Sequence, residues 1–179
     1  MKNLQIKSLT FVFILLAFFS VSCTKKASVN AKSVARGDLA TQIAASRLVW
    51  KKLKKQWNNN YVYVNTYTSG EGGFTTKTYV TVKGGKVASA YRQLITLEEG
   101  TKVTKPKQAI TGEKLEKVKT MDEIYTFTST TVVQKSPKDN YITFKTFDSG
   151  LLSAAGYFPK NCADDCYTGY TLEKVSPLK

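Results

Sequence analysis

The sequence predicts an α+β fold: an antiparallel sheet with two helices, in the order helix, three strands, helix, three strands. Three observations predict it. Between Asp38 and Trp57 the apolar residues recur at helical spacing, and from Tyr61 the period drops to two. A second helix start at Thr120 is followed by three further strand-like runs separated by turn residues. Runs of strands behind each helix argue against a parallel α/β sheet. The repeated order suggests a tandem structural pseudo-repeat, although the two halves share no clear sequence repeat.

Asp38 follows Gly37 and is suited to cap the first helix. Leu39, Ile43, Trp50, Leu53 and Trp57 then share one face, with Lys51, Lys52, Lys54 and Lys55 on or beside the other. The Trp pair has two readings, a ligand platform or a packed core face. The core face is the simpler, and we adopt it. Asn58-Asn59-Asn60 ends the helix. Tyr61 to Thr68 alternates as a strand, and Ser69 to Gly73 is a flexible turn. Phe74 to Lys83 and Lys86 to Leu94 form a hairpin around Gly84-Gly85, where both central positions can take positive φ. This register pairs Val82 with Val87 and sets Val80, Val82, Val87 and Tyr91 on one face.

Residues 95–119 are harder to read. Ile95-Thr96-Leu97 extends the sheet, and Glu98-Glu99-Gly100 and Lys105-Pro106-Lys107 are loop-like. Thr120-Met121-Asp122-Glu123 is a capping box, with Ile124, Phe127 and Thr131 at helical spacing behind it. Ser136-Pro137 ends that helix. Strands follow at Tyr141 to Phe147, Leu151 to Phe158 and Tyr167 to Val175. Asp148-Ser149-Gly150 and the segment 159–166 connect them.

The amino terminus carries an address. Lys2 and Lys7 precede an apolar stretch from Leu9 to Phe19, eleven residues broken only by Thr10. A bilayer span needs roughly 20 apolar residues, so residues 1–22 read as a processing signal. Ser20-Val21-Ser22-Cys23 resembles the lipobox of bacterial lipoproteins, with Ser20 where Leu is usual. The resemblance implies that Cys23 becomes the acylated first residue, and that its acyl chains anchor the protein in a membrane. The rival reading is an ordinary secretory peptide with Cys23 as a spare thiol. Residues 23–37 read as the lipidated Cys and its tether, and 38–179 as a single domain. Thr24-Lys25-Lys26 carries no acidic retention signal after Cys23, which favours the outer membrane over the inner, facing the periplasm.

Three cysteines are an odd number. With Cys23 acylated, Cys162 and Cys166 remain as a pair, and an oxidising compartment favours a disulfide between them. The rivals are a metal site and a reactive thiol pair.

Composition excludes much chemistry. The chain has 179 residues, 42% of them hydrophobic, which is globular composition. There is no His, so no Ser-His-Asp triad, Cys-His dyad or His-ligated zinc can form. Ser69 to Gly73 lacks the features of a phosphate loop, and no nucleophile elbow occurs. Asp148, Asp164 and Asp165 are the candidate ligand or metal carboxylates. As adjacent residues, Asp164 and Asp165 point apart in extended chain, and turn hydrogen bonds within the disulfide loop are their simpler role. Lys+Arg number 27 against 13 Asp+Glu, a net charge of +14, or +12 without Lys2 and Lys7. For an exported chain this basic balance fits anionic lipid headgroups better than nucleic acid.

The region 45–175 resembles a family of uncharacterised bacterial secreted lipoproteins, known as a domain of unknown function. The resemblance rests on Trp57 before Tyr61-Val62-Tyr63, on the 82–87 hairpin Val-Lys-Gly-Gly-Lys-Val, and on Thr120-Met121-Asp122-Glu123-Ile124-Tyr125. It also rests on Phe147-Asp148-Ser149-Gly150 and Gly156-Tyr157. Lys83 stands where that family has a turn acid, and the 162–166 Cys pair is not general there. The resemblance implies location and fold, not an activity.

The expectation is therefore a monomeric, lipid-anchored envelope protein without a cofactor. It would be a non-enzymatic binding or structural module whose partner is an envelope protein or a small ligand. The alternatives are a carboxylate-dependent envelope hydrolase and an inhibitor of an exported enzyme.

Overall fold

The computed structural model describes residues 36–70 and 72–179, all within the compact unit Ser33–Lys179. The expected signal segment 1–22, Cys23 and the expected tether up to residue 35 lie outside the described residues. The first helix, α1, spans Arg36–Gln56. It starts two residues before the expected cap, so Arg36 and Gly37 belong to the helix and not to the tether. Asp38 sits in the first turn, where its charge complements the helix dipole. Gln42 Nε2 donates to Asp38 Oδ2 at 3.1 Å.

Asn58 and Asn59 stop α1 by taking left-handed φ values of 49° and 56°, a conformation Asn tolerates better than most residues. The same segment holds the next hairpin. Asn60 Oδ1 accepts from Gly84 N–H at 2.9 Å, and Asn59 O accepts from Gly85 N–H at 3.0 Å.

The strands are β1 Tyr61–Thr68, β2 Phe74–Lys83, β3 Lys86–Glu98, β4 Thr101–Thr104, β5 Gln108–Ile110, β6 Asn140–Thr146, β7 Leu152–Pro159 and β8 Thr168–Pro177. They form one antiparallel sheet in the order β4-β3-β2-β1-β8-β7-β6, with β5 also on β3. A short helix α2, Glu113–Glu116, precedes α3, Met121–Phe127, which continues into a π-helical turn over Thr128–Val132. The α+β class is as expected. The element order is not: β4, β5 and α2 stand between the first three strands and the second long helical segment. Each is four residues or fewer, too short for a periodic signal.

The capping box is formed. Thr120 Oγ1 accepts from Glu123 N–H, and Thr120 N–H donates to Glu123 Oε2 at 2.8 Å. The β-branched run behind it makes the π turn. There Thr128 and Thr130 hydroxyls donate back to the carbonyls of Ile124 and Thr126, a pattern that bends helices.

Val82 pairs with Val87 as expected, but Thr81 pairs with Ser89, which leaves Ala88 as a bulge. One extra residue reverses the side-chain parity beyond it. Ala90, not Tyr91, therefore joins Val80 and Val82 in the core, and Tyr91 is 44% exposed on the opposite face. Two further register shifts leave Ser153 and Glu173 as extra residues. The core lies between the sheet and the helices, around Trp50, Tyr61, Tyr63, Val80, Ile124 and Leu152. Three buried tyrosines fasten the layers. Tyr61 Oη accepts from Met121 N–H at 3.0 Å, and Tyr63 donates to Lys119 O. Tyr125 links α3 to α1 and β7.

Candidate functional site

The α1 stripe packs as its spacing requires. Leu39, Ile43 and Trp50 are buried, with Ser46 on the same line. Trp50 belongs to the core: its ring meets Tyr61 edge-on at 4.8 Å, and Nε1 donates to Asp122 Oδ1 at 3.3 Å. Lys54 leaves the lysine face to bind both oxygens of Asp122, at 3.1 and 3.0 Å. The second tryptophan has a different position. Trp57 lies just past the end of α1 with its ring 6.2 Å from that of Trp50, and is half-buried against the core.

Trp57 forms one wall of an apolar groove. Leu53 stands beside it on α1. Phe147 and Leu151 line it from the β6–β7 turn, and Val175 lines it from β8. The groove encloses about 360 Å³, within the range of small-ligand pockets. Gly150 lets the turn close on α1. It has φ +80°, and a Cβ there would lie 3.3 Å from Val49. Ser149 adds a polar group to the lining. Val175 pairs with the core residue Tyr63 and Lys174 with Val64, so the Lys174 side chain points to the opposite sheet face. The Glu173 carboxylate is engaged by Lys77 Nζ at 2.6 Å and Thr66 Oγ1 at 3.3 Å. No ion pair engages Lys174 among the described residues.

Of the residues singled out in the sequence, Cys162 and Cys166 form a disulfide, with Cα atoms 6.3 Å apart. Asp148 is exposed in the β6–β7 turn, at the opposite end of β7 from the Cys loop. It therefore shares no site with Asp164 and Asp165. Those two do not point apart, because Asp165 adopts φ +44° and the chain is not extended there. Both carboxylates approach Gly70, and Asp165 Oδ1 accepts from Gly70 N–H at 2.6 Å. The bond leaves the Cys loop and ties it to the β1–β2 turn. A hydrogen bond to Asp165 also raises the Tyr67 pKa. Among the described residues, no group of three or more Cys, Asp and Glu suits a metal.

The remaining electrostatics are structural. Tyr61 and Tyr63 have strongly raised pKa values, chiefly through burial. Glu98 and Glu173 are held below the usual carboxylate range by hydrogen bonds from Lys105 and Lys77. Burial opposes ionisation of Glu123, but the Thr120 N–H and Lys119 outweigh it and lower its pKa. A general acid at neutral pH requires the opposite shift.

Sequence reading missed the groove because Phe147, Leu151 and Val175 each read as ordinary strand residues. The available signal was Trp57, an aromatic at the end of a core stripe just before the helix stops. No protein-family model, curated protein or solved structure matches the chain.

Proposed function

We propose that this protein is a lipid-anchored, non-enzymatic binding module of the cell envelope, acylated at Cys23 and facing the periplasm from the outer membrane. Its ligand is a small, largely apolar molecule that lies against Trp57, Phe147 and Val175. The groove carries this reading, because Leu53, Trp57, Phe147, Leu151 and Val175 bring five apolar side chains to one cleft. Orientation by a few polar groups at an apolar cleft is how small-ligand sites select. The hydrolase alternative needs two facing carboxyls, and Asp148 shares no site with Asp164 and Asp165. We read the three-strand meanders behind α1 and α3 as a tandem pseudo-repeat whose halves meet where β1 pairs with β8.

The binding claim is tested by incubating the chain from Thr24 onward with envelope lipid extract, re-isolating it and extracting what it retains for mass spectrometry. One largely apolar small molecule should be enriched, and Phe147→Ser should lose it. Retention of nothing, or equal retention by the variant, overturns the reading. Anchoring is tested separately. Cys23→Ala should release the protein from membranes after a high-salt wash, which screens charge but not buried acyl chains. A variant that pellets like the wild type contradicts acylation.

A further inference from the structure

The outward side of α1 is a second surface with a definite chemistry. Ala44, Ala45, Leu48, Lys51, Lys52 and Lys55 share one helix side, opposite the buried Ile43 and Trp50, and all six are exposed. Leu48 is 66% exposed, the highest value among the exposed large hydrophobics of the described residues. An apolar patch followed by three lysines is the pattern of a helix that lies in a membrane interface. The lysine stems cover apolar surface while their ammonium groups reach phosphate.

We infer that this side of α1 docks on an anionic phospholipid surface, with Leu48 entering the headgroup layer and Lys51, Lys52 and Lys55 pairing with phosphates. Two observations select a bilayer over nucleic acid. First, α1 offers no stacking platform on this side, since Trp50 is in the core and Trp57 faces the groove. Single-stranded nucleic acid is held by aromatic stacking beside its basic groups. Second, Cys23 precedes Arg36 by only 13 residues, a reach of at most about 45 Å. Among the described elements, α1 is thus the nearest to the anchor along the chain. Lys54 takes no part, because Asp122 holds it.

The inference takes its setting from acylation at Cys23, but its test does not depend on that. The chain from Thr24 onward contains the whole unit Ser33–Lys179 and has no acylation site. Co-flotation is measured with vesicles of phosphatidylcholine alone and of phosphatidylcholine mixed equally with phosphatidylglycerol. Binding is expected to the anionic vesicles only. Lys51→Gln/Lys52→Gln/Lys55→Gln should weaken partition on the order of 100-fold, from the typical contribution of a surface lysine. Leu48→Ser should weaken it several-fold with the charge unchanged. The triple variant Lys102→Gln/Lys114→Gln/Lys138→Gln, of equal charge and distant from α1 in sequence, should bind nearly as the parent does. The inference is overturned by absence of vesicle binding, by equal losses in the two triple variants, or by no effect of Leu48→Ser. Binding to single-stranded DNA that depends on Lys51, Lys52 and Lys55, without vesicle binding, would assign the surface to nucleic acid instead.

Discussion

The hydroxyls of Ser46 and Tyr125 lie 2.8 Å apart in the buried seam between α1 and α3. Tyr125 also donates to Ser46 O at 3.1 Å and accepts from Leu152 N–H at 3.0 Å. A phenol has one proton to donate. The proton between the two hydroxyls therefore belongs to Ser46, and Tyr125 is fully satisfied. One side chain thus joins α1, α3 and β7.

Tyr125→Phe leaves the buried Leu152 N–H and Ser46 O–H without their acceptor. The expected loss is about 1–3 kcal/mol. Ser46→Ala removes a single bond and should cost about 1 kcal/mol. Urea unfolding checks both, with unchanged slopes. A neutral Tyr125→Phe would show that the seam holds by packing alone.

Gly169 pairs with Gly156 across β7 and β8, and Tyr167 lies over the pair. A Cβ at Gly169 would stand 2.4 Å from Ala155 O, and backbone cannot yield as a side-chain tip does. Gly169→Ala should destabilise by about 1–3 kcal/mol through overpacking. Gly73→Ala meets nothing within 4 Å and has no positive φ, so it should be neutral or slightly stabilising. Thermal denaturation of the two variants side by side reads the contrast.

Much of this architecture is legible in the sequence, and what is not has a physical cause. The α1 core stripe and the Thr120 capping box are local patterns, so spacing alone places them. The Ala88 bulge is not local. It depends on how β3 lies on β2, and it alone moves Tyr91 from the core face to solvent. Short β4 and β5 borrow their structure from the edge of β3 and carry no period of their own. For the site, the disulfide follows from Cys arithmetic, and helical spacing places Trp57 on the core face of α1 without showing a groove there. Phe147 and Val175 reach the groove only through the β6–β7 turn and the β1–β8 pairing. The bond from Gly70 to Asp165 spans 95 residues, beyond any pattern argument.

Stability should fall at both ends of the pH scale. Glu98, Glu123 and Glu173 have lowered folded pKa values. Their contribution is present above the ordinary value of 4.5 and is lost as pH drops through the folded values. Tyr61, Tyr63 and Tyr125 have raised values. Their contribution is present below the ordinary value of 10.0 and is lost as pH rises beyond it. Chemical denaturation across pH should show both limbs, with Tyr63→Phe flattening the alkaline one. An alkaline limb unchanged by Tyr63→Phe would assign it to other groups.

The disulfide should act locally. Replacing Cys162 and Cys166 by Ser is expected to cost about 2 kcal/mol by the loop-entropy model. It should also speed amide exchange at Gly70, whose N–H is held by Asp165. Asp165→Ala should speed the same amide with the disulfide intact. Alkylation before and after reduction checks the pair itself. Two thiols reactive without reduction would contradict it.

The central claim is that the groove beside Trp57 takes a small, largely apolar ligand. The most direct measurement is a fluorescence titration with the aromatic sulfonate 8-anilinonaphthalene-1-sulfonate. The account predicts one saturable site. Trp57→Leu should weaken it at least about tenfold, since losing an aromatic contact of more than about 1.4 kcal/mol changes affinity by that factor. Lys174→Gln, on the opposite sheet face, should leave it unchanged. Equal binding by the wild type and Trp57→Leu, or no saturable binding, would contradict it.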